Sequence, residues 1–172
     1  MSKMQRSDRV DKQNAGVRPK ASASCRTDRL FHQLQKQLAP SLCETRLEID
    51  AQPAVVRADE VLVNCLLRNL IGNAKKAAHR DRTVRVKGVQ KGNRYCVTVP
   101  DRGCGIPEEE IERITEPFYM VNKSRSRAGG GSGLGLAICQ KIAELHHTQL
   151  KFQSQVGEGT TVCFYLEVEE DA

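Results

Sequence analysis

The chain has 172 residues, enough for one domain with a proper core and short for two. Its 39% hydrophobic and 28% charged residues are those of a soluble globular protein, and no apolar run reaches the length of a membrane span. The net charge of +6 is not spread over the chain: residues 1–26 carry seven Lys or Arg and two Asp, which leaves residues 27–172 at +1 and argues against a nucleic-acid-binding domain.

Residues 1–26 are polar, rich in Ser, Gln, Lys and Arg, and read as a disordered basic tail or linker ahead of a domain over 27–172. The first residues lack the apolar stretch of a secretory signal, so a cytoplasmic location is expected. The seven cysteines are scattered singly without a Cys-x-x-Cys, which fits reduced thiols better than disulfides or zinc. Cys65, Cys96, Cys139 and Cys163 lie in apolar patterns and read as core residues.

Leu30, Phe31, Leu34 and Leu38 predict a helix over 27–38, stopped by Pro40. Short strands are expected around Leu47–Asp50 and Ala54–Ala58. From Asp59, a plausible N-cap, to His79, the spacing of Leu62, Cys65, Leu66, Leu70 and Ala74 predicts a long helix. Thr83–Val89 and Tyr95–Val99 alternate with period two around a Lys91-Gly-Asn93 hairpin turn. Pro107 and three glutamates open a short helix, and residues 119–132 read as a basic, glycine-rich mobile loop. Leu134–His146 is a helix with Leu134, Ile138, Ile142 and Leu145 on one face. Strands at Leu150–Phe152 and Thr160–Val168 flank a Gly157-Glu-Gly159 turn. Hairpin-paired strands with helices between the sets predict an α/β (α+β) two-layer sandwich rather than a doubly wound sheet.

Three features carry chemistry. Asn69, Asn73 and Lys76 share one helix face; an amide oxygen suits a hard cation such as Mg²⁺ and an ammonium suits phosphate, or the trio is a solvated edge. Asp101 enters an Asp-x-Gly-x-Gly turn and either accepts from an exocyclic amine or belongs to a plain turn. Gly129–Gly135 opens a helix, where backbone N–H groups can meet phosphate, or it is a flexible linker. Cys104, between Gly103 and Gly105, is either a thiol lining that pocket or a tolerated small residue. Neither glycine cluster satisfies a P-loop or a Rossmann fingerprint, since position six is Glu108 or Leu136.

Taken in order, these features resemble the catalytic ATP-binding domain of bacterial sensor histidine kinases, within the GHKL superfamily. Asn69-Leu-Ile-Gly-Asn-Ala74 resembles the N box and Asp101-Arg-Gly-Cys-Gly105 the first glycine box. Glu116–Arg125 resembles the phenylalanine box and the start of the ATP lid. Gly131–His146 resembles the second glycine box with its helix, and Gly157-Glu-Gly-Thr160 the turn before the last strand. The resemblance spans roughly residues 45–168.

It implies a Bergerat-type fold, with a mixed, mostly antiparallel sheet covered on one face by helices, binding ATP and Mg²⁺ under a lid. Asn73 would ligate the metal, with Asn69 and Lys76 assisting at the phosphates. Asp101 would receive the adenine amine. Gly103, Gly105, Ile106, Phe118, Gly131, Gly133, Leu134, Gly135, Leu136 and Thr160 would line the nucleotide, and Arg125, with Lys123 or Arg127, would meet the terminal phosphates. Hydrolysing relatives of the gyrase, Hsp90 and mismatch-repair types place a Glu where Asn69 stands, and an amide cannot serve as general base.

Transfer to a protein acceptor is therefore expected. The acceptor motif is absent around His32, His79, His146 and His147, so the histidine would lie on a separate or missing phosphoacceptor and dimerisation domain, with a response regulator beyond it. The alternative is a partner-sequestering module of the anti-sigma-factor kinase type. No nucleic-acid partner is expected.

Overall fold

The computed structural model describes residues 23–77, 82–121 and 132–169. The basic leader up to residue 22 and His79 lie outside them.

The elements run β1 (Ser24–Arg26), α1 (Thr27–Leu42), β2 (Arg46–Ala51), β3 (Val55–Arg57), α2 (Glu60–Ala77), β4 (Thr83–Lys91), β5 (Arg94–Pro100), a single 3₁₀ turn (Glu108–Glu110), α3 (Gly135–Leu145), β6 (Lys151–Gln155) and β7 (Gly159–Val168). One mixed sheet has the order β1-β3-β7-β5-β4-β2, with β6 also paired to β7. Among the described strands, β2–β4 is the parallel pair and the rest are antiparallel. β7 is the organising strand. One edge pairs with β5 from Pro100↔Thr161 to Arg94↔Glu167, and the other is shared by β6 and β3.

Alternation explains the two layers. Val84 and Val86 of β4, Tyr95, Val97 and Val99 of β5, and Val162, Phe164 and Leu166 of β7 are buried in one core with the helices. The two-layer sandwich expected from the sequence is the one observed. α2 packs between α1 and α3 through Val63, Leu66, Leu67, Leu70, Ile71 and Ala74. Full burial of a Leu such as Leu67 contributes about 1.5–3 kcal/mol. Asp59 caps α2, its Oδ1 accepting the N–H groups of Val61 and Leu62 at 3.0 and 3.1 Å.

Several expectations shift. Ser24–Arg26, read as tail, form β1 against β3, and Cys25 there is buried. α1 continues through Pro40 by two residues, because Leu42 adds a buried side chain one turn after Leu38, and the chain turns only at Cys43 with φ +51°. Cys65 is exposed rather than core, and Cys163 is only half-buried. On α3 the buried face is Cys139, Ile142 and Ala143, whereas Ile138 is 43% exposed. Gly92, φ +60°, is the first central residue of the β4–β5 hairpin, where a type II′ turn needs a positive φ.

All seven cysteines are free thiols. Burial pushes the thiols of Cys25 and Cys139 up to about 11 and about 12, which keeps them protonated and inert at neutral pH.

Candidate functional site

The loop after β5 and the β6–β7 turn are stitched into one unit. Asp101 N–H donates to the Thr160 carbonyl at 2.8 Å. Asp101 Oδ1 in turn accepts the N–H groups of Gly103 at 2.8 Å and Thr160 at 3.2 Å. Among the described residues no donor is bonded to its other oxygen, Oδ2. Burial pushes the Asp101 carboxyl above the usual carboxylate range, and the Gly103 and Thr160 bonds partly oppose that. The carboxylate is thus half-buried, fixed on one side and open on the other.

Gly105 holds φ +70°, and a β-carbon there would lie 2.1 Å from the Gln155 carbonyl oxygen. The first glycine box therefore needs this glycine to pass the end of β6. Gly157 N–H closes the contact on the Cys104 carbonyl at 2.8 Å, and Cys104 itself is exposed. Ile106 N–H donates to Ser154 Oγ at 2.8 Å. Ser154 also meets the Gly159 carbonyl at 3.0 Å and Thr160 Oγ1 at 2.8 Å. Ser154 was not among the residues singled out by sequence. Its signal is register: counted outward from the Gly157–Gly159 turn, Ser154 falls opposite Thr160.

Asn69 and Asn73 lie one turn apart on α2. The Asn69 amide donates to the Cys65 carbonyl at 3.0 Å, and its oxygen faces the start of α3, 3.1 Å from where a Gly135 β-carbon would sit. Asn73 and Lys76 are exposed and make no side-chain hydrogen bond among the described residues. Among the described residues no group of three His, Cys, Asp or Glu forms a ready metal cage. A cation at Asn73 would have one amide oxygen and would take its remaining ligands from phosphate and water, which fits the habits of Mg²⁺.

Phe118 and Gly133 are tied by Phe118 N–H donating to the Gly133 carbonyl at 3.0 Å. Phe118 has φ +64° and is 69% exposed. The segment before it is braced: the Arg113 guanidinium lies 4.2 Å from the Tyr119 ring centroid, and the Tyr119 hydroxyl donates to Glu110. Leu134 and Leu136 are half-buried at the start of α3. Lys123, Arg125, Arg127 and Gly131 lie outside the described residues.

Two hollows adjoin these groups. A cleft of about 240 Å³ is lined by Ala74, Thr83, Arg85, Lys87, Asp101 and Arg102, where β4 and β5 part beyond Lys87↔Thr98. A larger open groove of about 710 Å³ runs between α1 and α2 and ends at Asn69 without reaching Asp101. The carboxylate chemistry is in the smaller one.

Residues 58–170 match the family described as histidine kinase-, DNA gyrase B- and HSP90-like ATPase. The chain is 38% identical over 116 residues to the sensor histidine kinase YkoH of Bacillus subtilis, covering 67% of this chain and 25% of YkoH. It is 43% identical over 91 residues to the signal transduction histidine-protein kinase ArlS of Staphylococcus aureus, covering 53% of this chain and 20% of ArlS. The chain spans about a quarter or less of the length of these relatives. In structure it is similar to the mycobacterial sensor histidine kinase MprB, with TM-score 0.74 at 21% identity over 87% of this chain and 99% of that one. The catalytic domain of histidine kinase ThkA gives TM-score 0.68 at 23% identity over 84% and 94%. Both share the fold. No helix among the described residues is long and apolar enough to cross a membrane.

Proposed function

Because the chain belongs to the family of histidine kinase-, DNA gyrase B- and HSP90-like ATPases, we propose that it is the ATP-binding catalytic domain of a sensor histidine kinase. It passes the γ-phosphoryl group to a histidine on a separate phosphoacceptor domain, from which a response regulator is served. The observation that carries this reading is the half-buried Asp101 carboxylate, fixed by Gly103 and Thr160 on one oxygen and open on the other. That is an acceptor built for the exocyclic amine of adenine.

The remaining roles follow from position. Asn73 offers its amide oxygen to Mg²⁺, which supplies charge neutralisation at the phosphates when bound. Lys76, three residues on, meets phosphate charge from the same face. Asn69 orients rather than deprotonates, since an amide is no base, so water is not activated and transfer is favoured over hydrolysis. The start of α3 brings free N–H groups at Gly135 and Leu136 toward the phosphate end. By the family resemblance, Lys123 and Arg125 meet the terminal phosphates. Phosphoryl transfer asks mainly for positioning and charge compensation, and this set provides both.

The test is titration of a non-hydrolysable ATP analogue into the full chain with and without Mg²⁺, repeated on Asn73→Ala and Asp101→Ala. Asn73→Ala is expected to remove the Mg²⁺ dependence and Asp101→Ala to weaken binding throughout. Unchanged binding in both variants would overturn the assignment. Labelled ATP with an acceptor helical hairpin supplied in trans is expected to yield acid-labile phosphohistidine; phosphoserine instead would point to the anti-sigma-factor kinase class.

A further inference from the structure

We propose that Ser154 is a positioning residue that sets the hydrogen-bond polarity at the purine end of the site, so that the site selects an exocyclic amine over a keto oxygen. The inference rests on the reading of Asp101 as the base-contacting group and deepens it.

The argument is an account of protons. Ser154 Oγ has one hydrogen and two lone pairs. One lone pair accepts Ile106 N–H at 2.8 Å. Two oxygens lie within reach of its single proton, the Gly159 carbonyl at 3.0 Å and Thr160 Oγ1 at 2.8 Å. The carbonyl can only accept. Both contacts are satisfied together in one arrangement: Ser154 donates to Gly159, and Thr160 donates its own hydroxyl proton to the second lone pair of Ser154. Thr160 is 6% exposed, so an unsatisfied alternative is costly.

The consequence falls on the neighbours of Asp101. The Thr160 hydroxyl proton is directed at Ser154. The N–H groups of Thr160 and Gly103 are directed at Asp101 Oδ1, and that of Asp101 at the Thr160 carbonyl. Every nearby donor of these residues is turned inward. What these bonds leave unused are acceptors, the second oxygen of the Asp101 carboxylate and the lone pairs of the Thr160 hydroxyl beside it in the same network. An amine with two hydrogens matches such a surface, whereas a keto oxygen meets like partial charge. Removing Ser154 Oγ frees the Thr160 hydroxyl to rotate and donate, which relieves the mismatch for a keto purine.

The experiment is calorimetric titration of the full chain with ADP and with its inosine counterpart IDP, which differ at this amine. Wild type, Ser154→Ala, Ser154→Thr and the pair Thr160→Val with Thr160→Val/Ser154→Ala are compared, with thermal unfolding checked for each. The ADP preference of the wild type is expected to fall about tenfold in Ser154→Ala, the worth of one hydrogen bond, and to be kept in Ser154→Thr. On the Thr160→Val background the Ser154→Ala change is expected to leave the ratio unmoved. Equal weakening of both nucleotides in Ser154→Ala, with the ratio intact, means a purely structural role and overturns the inference. Loss of the ratio in Ser154→Thr as well also overturns it. A wild type that binds neither nucleotide removes the ATP reading itself, and the inference with it.

Discussion

Asn69 and Gly135 face each other across the α2–α3 contact, so closely that a β-carbon on Gly135 would stand 3.1 Å from Asn69 Oδ1. The N box and the second glycine box thus meet in one steric relation. Gly135→Ala suits the helix, where Ala is favoured over Gly by about 1 kcal/mol. It also pushes the Asn69 amide by a few tenths of an ångström. The expected outcome is a melting temperature held or raised, with ATP-analogue affinity lowered about fivefold, as for one disturbed hydrogen bond. A variant that binds as tightly as wild type removes Asn69 from the phosphate site.

Gly105→Ala combines a positive φ with a backbone collision at the Gln155 carbonyl, and neither can relax cheaply. A loss of about 2–4 kcal/mol in denaturant unfolding is expected. Gly92→Ala is the control: it has φ +60° but open space around it. It should lose only the conformational part, about 1 kcal/mol. Equal losses at the two positions would mean that the Gly105–Gln155 approach is not tight.

The raised Asp101 carboxyl fixes a direction in pH. Its folded pKa lies above an unfolded value of about 3.9, so the folded state binds the extra proton between the two. Its contribution to stability therefore declines as pH rises from the unfolded to the folded value and is flat above that. Nucleotide binding runs the other way, because an amine donor needs the ionised acceptor, and affinity is expected to fall as pH drops through the folded value. Asp101→Asn should abolish both dependences. Parallel unfolding and binding series at several pH values check the opposite signs.

His146 ends α3 by donating from Nδ1 to the Ile142 carbonyl at 2.8 Å while Nε2 accepts Asp59 N–H at 3.0 Å. It couples the end of one helix to the start of another. His146→Phe leaves the Asp59 N–H unpaired and should cost about 1–2 kcal/mol. His146→Gln, which retains an acceptor, should recover part of it. Chemical denaturation of the two variants compares them directly.

How legible this was in the sequence depends on which forces act. Where periodicity and burial agree, as at the Asp59 cap and at Leu66, Leu70 and Ala74 of α2, sequence and structure coincide. Pro40 misled because a proline in the last turn lacks one donor but does not stop Leu42 from packing. Ile138 and Cys65 misled because an apolar residue on a helix flank continues the pattern without touching the core. β1 was invisible since three residues carry no period, and only pairing with β3 makes them a strand. The Asp101 motif was readable through its glycines, whereas Ser154 was not, since its role arises from cross-strand register and has no local signature.

The hydrogen bond between Phe118 N–H and the Gly133 carbonyl has a consequence for variation among such domains. It ties Phe118 to Gly133 in space across the stretch of chain that joins them. Closing a loop on fixed feet grows only logarithmically harder with length, and doubling it costs about 0.6 kcal/mol. A change in the number of residues joining Phe118 to Gly133 is therefore expected to cost little in folding, so long as the Phe118–Gly133 bond is kept.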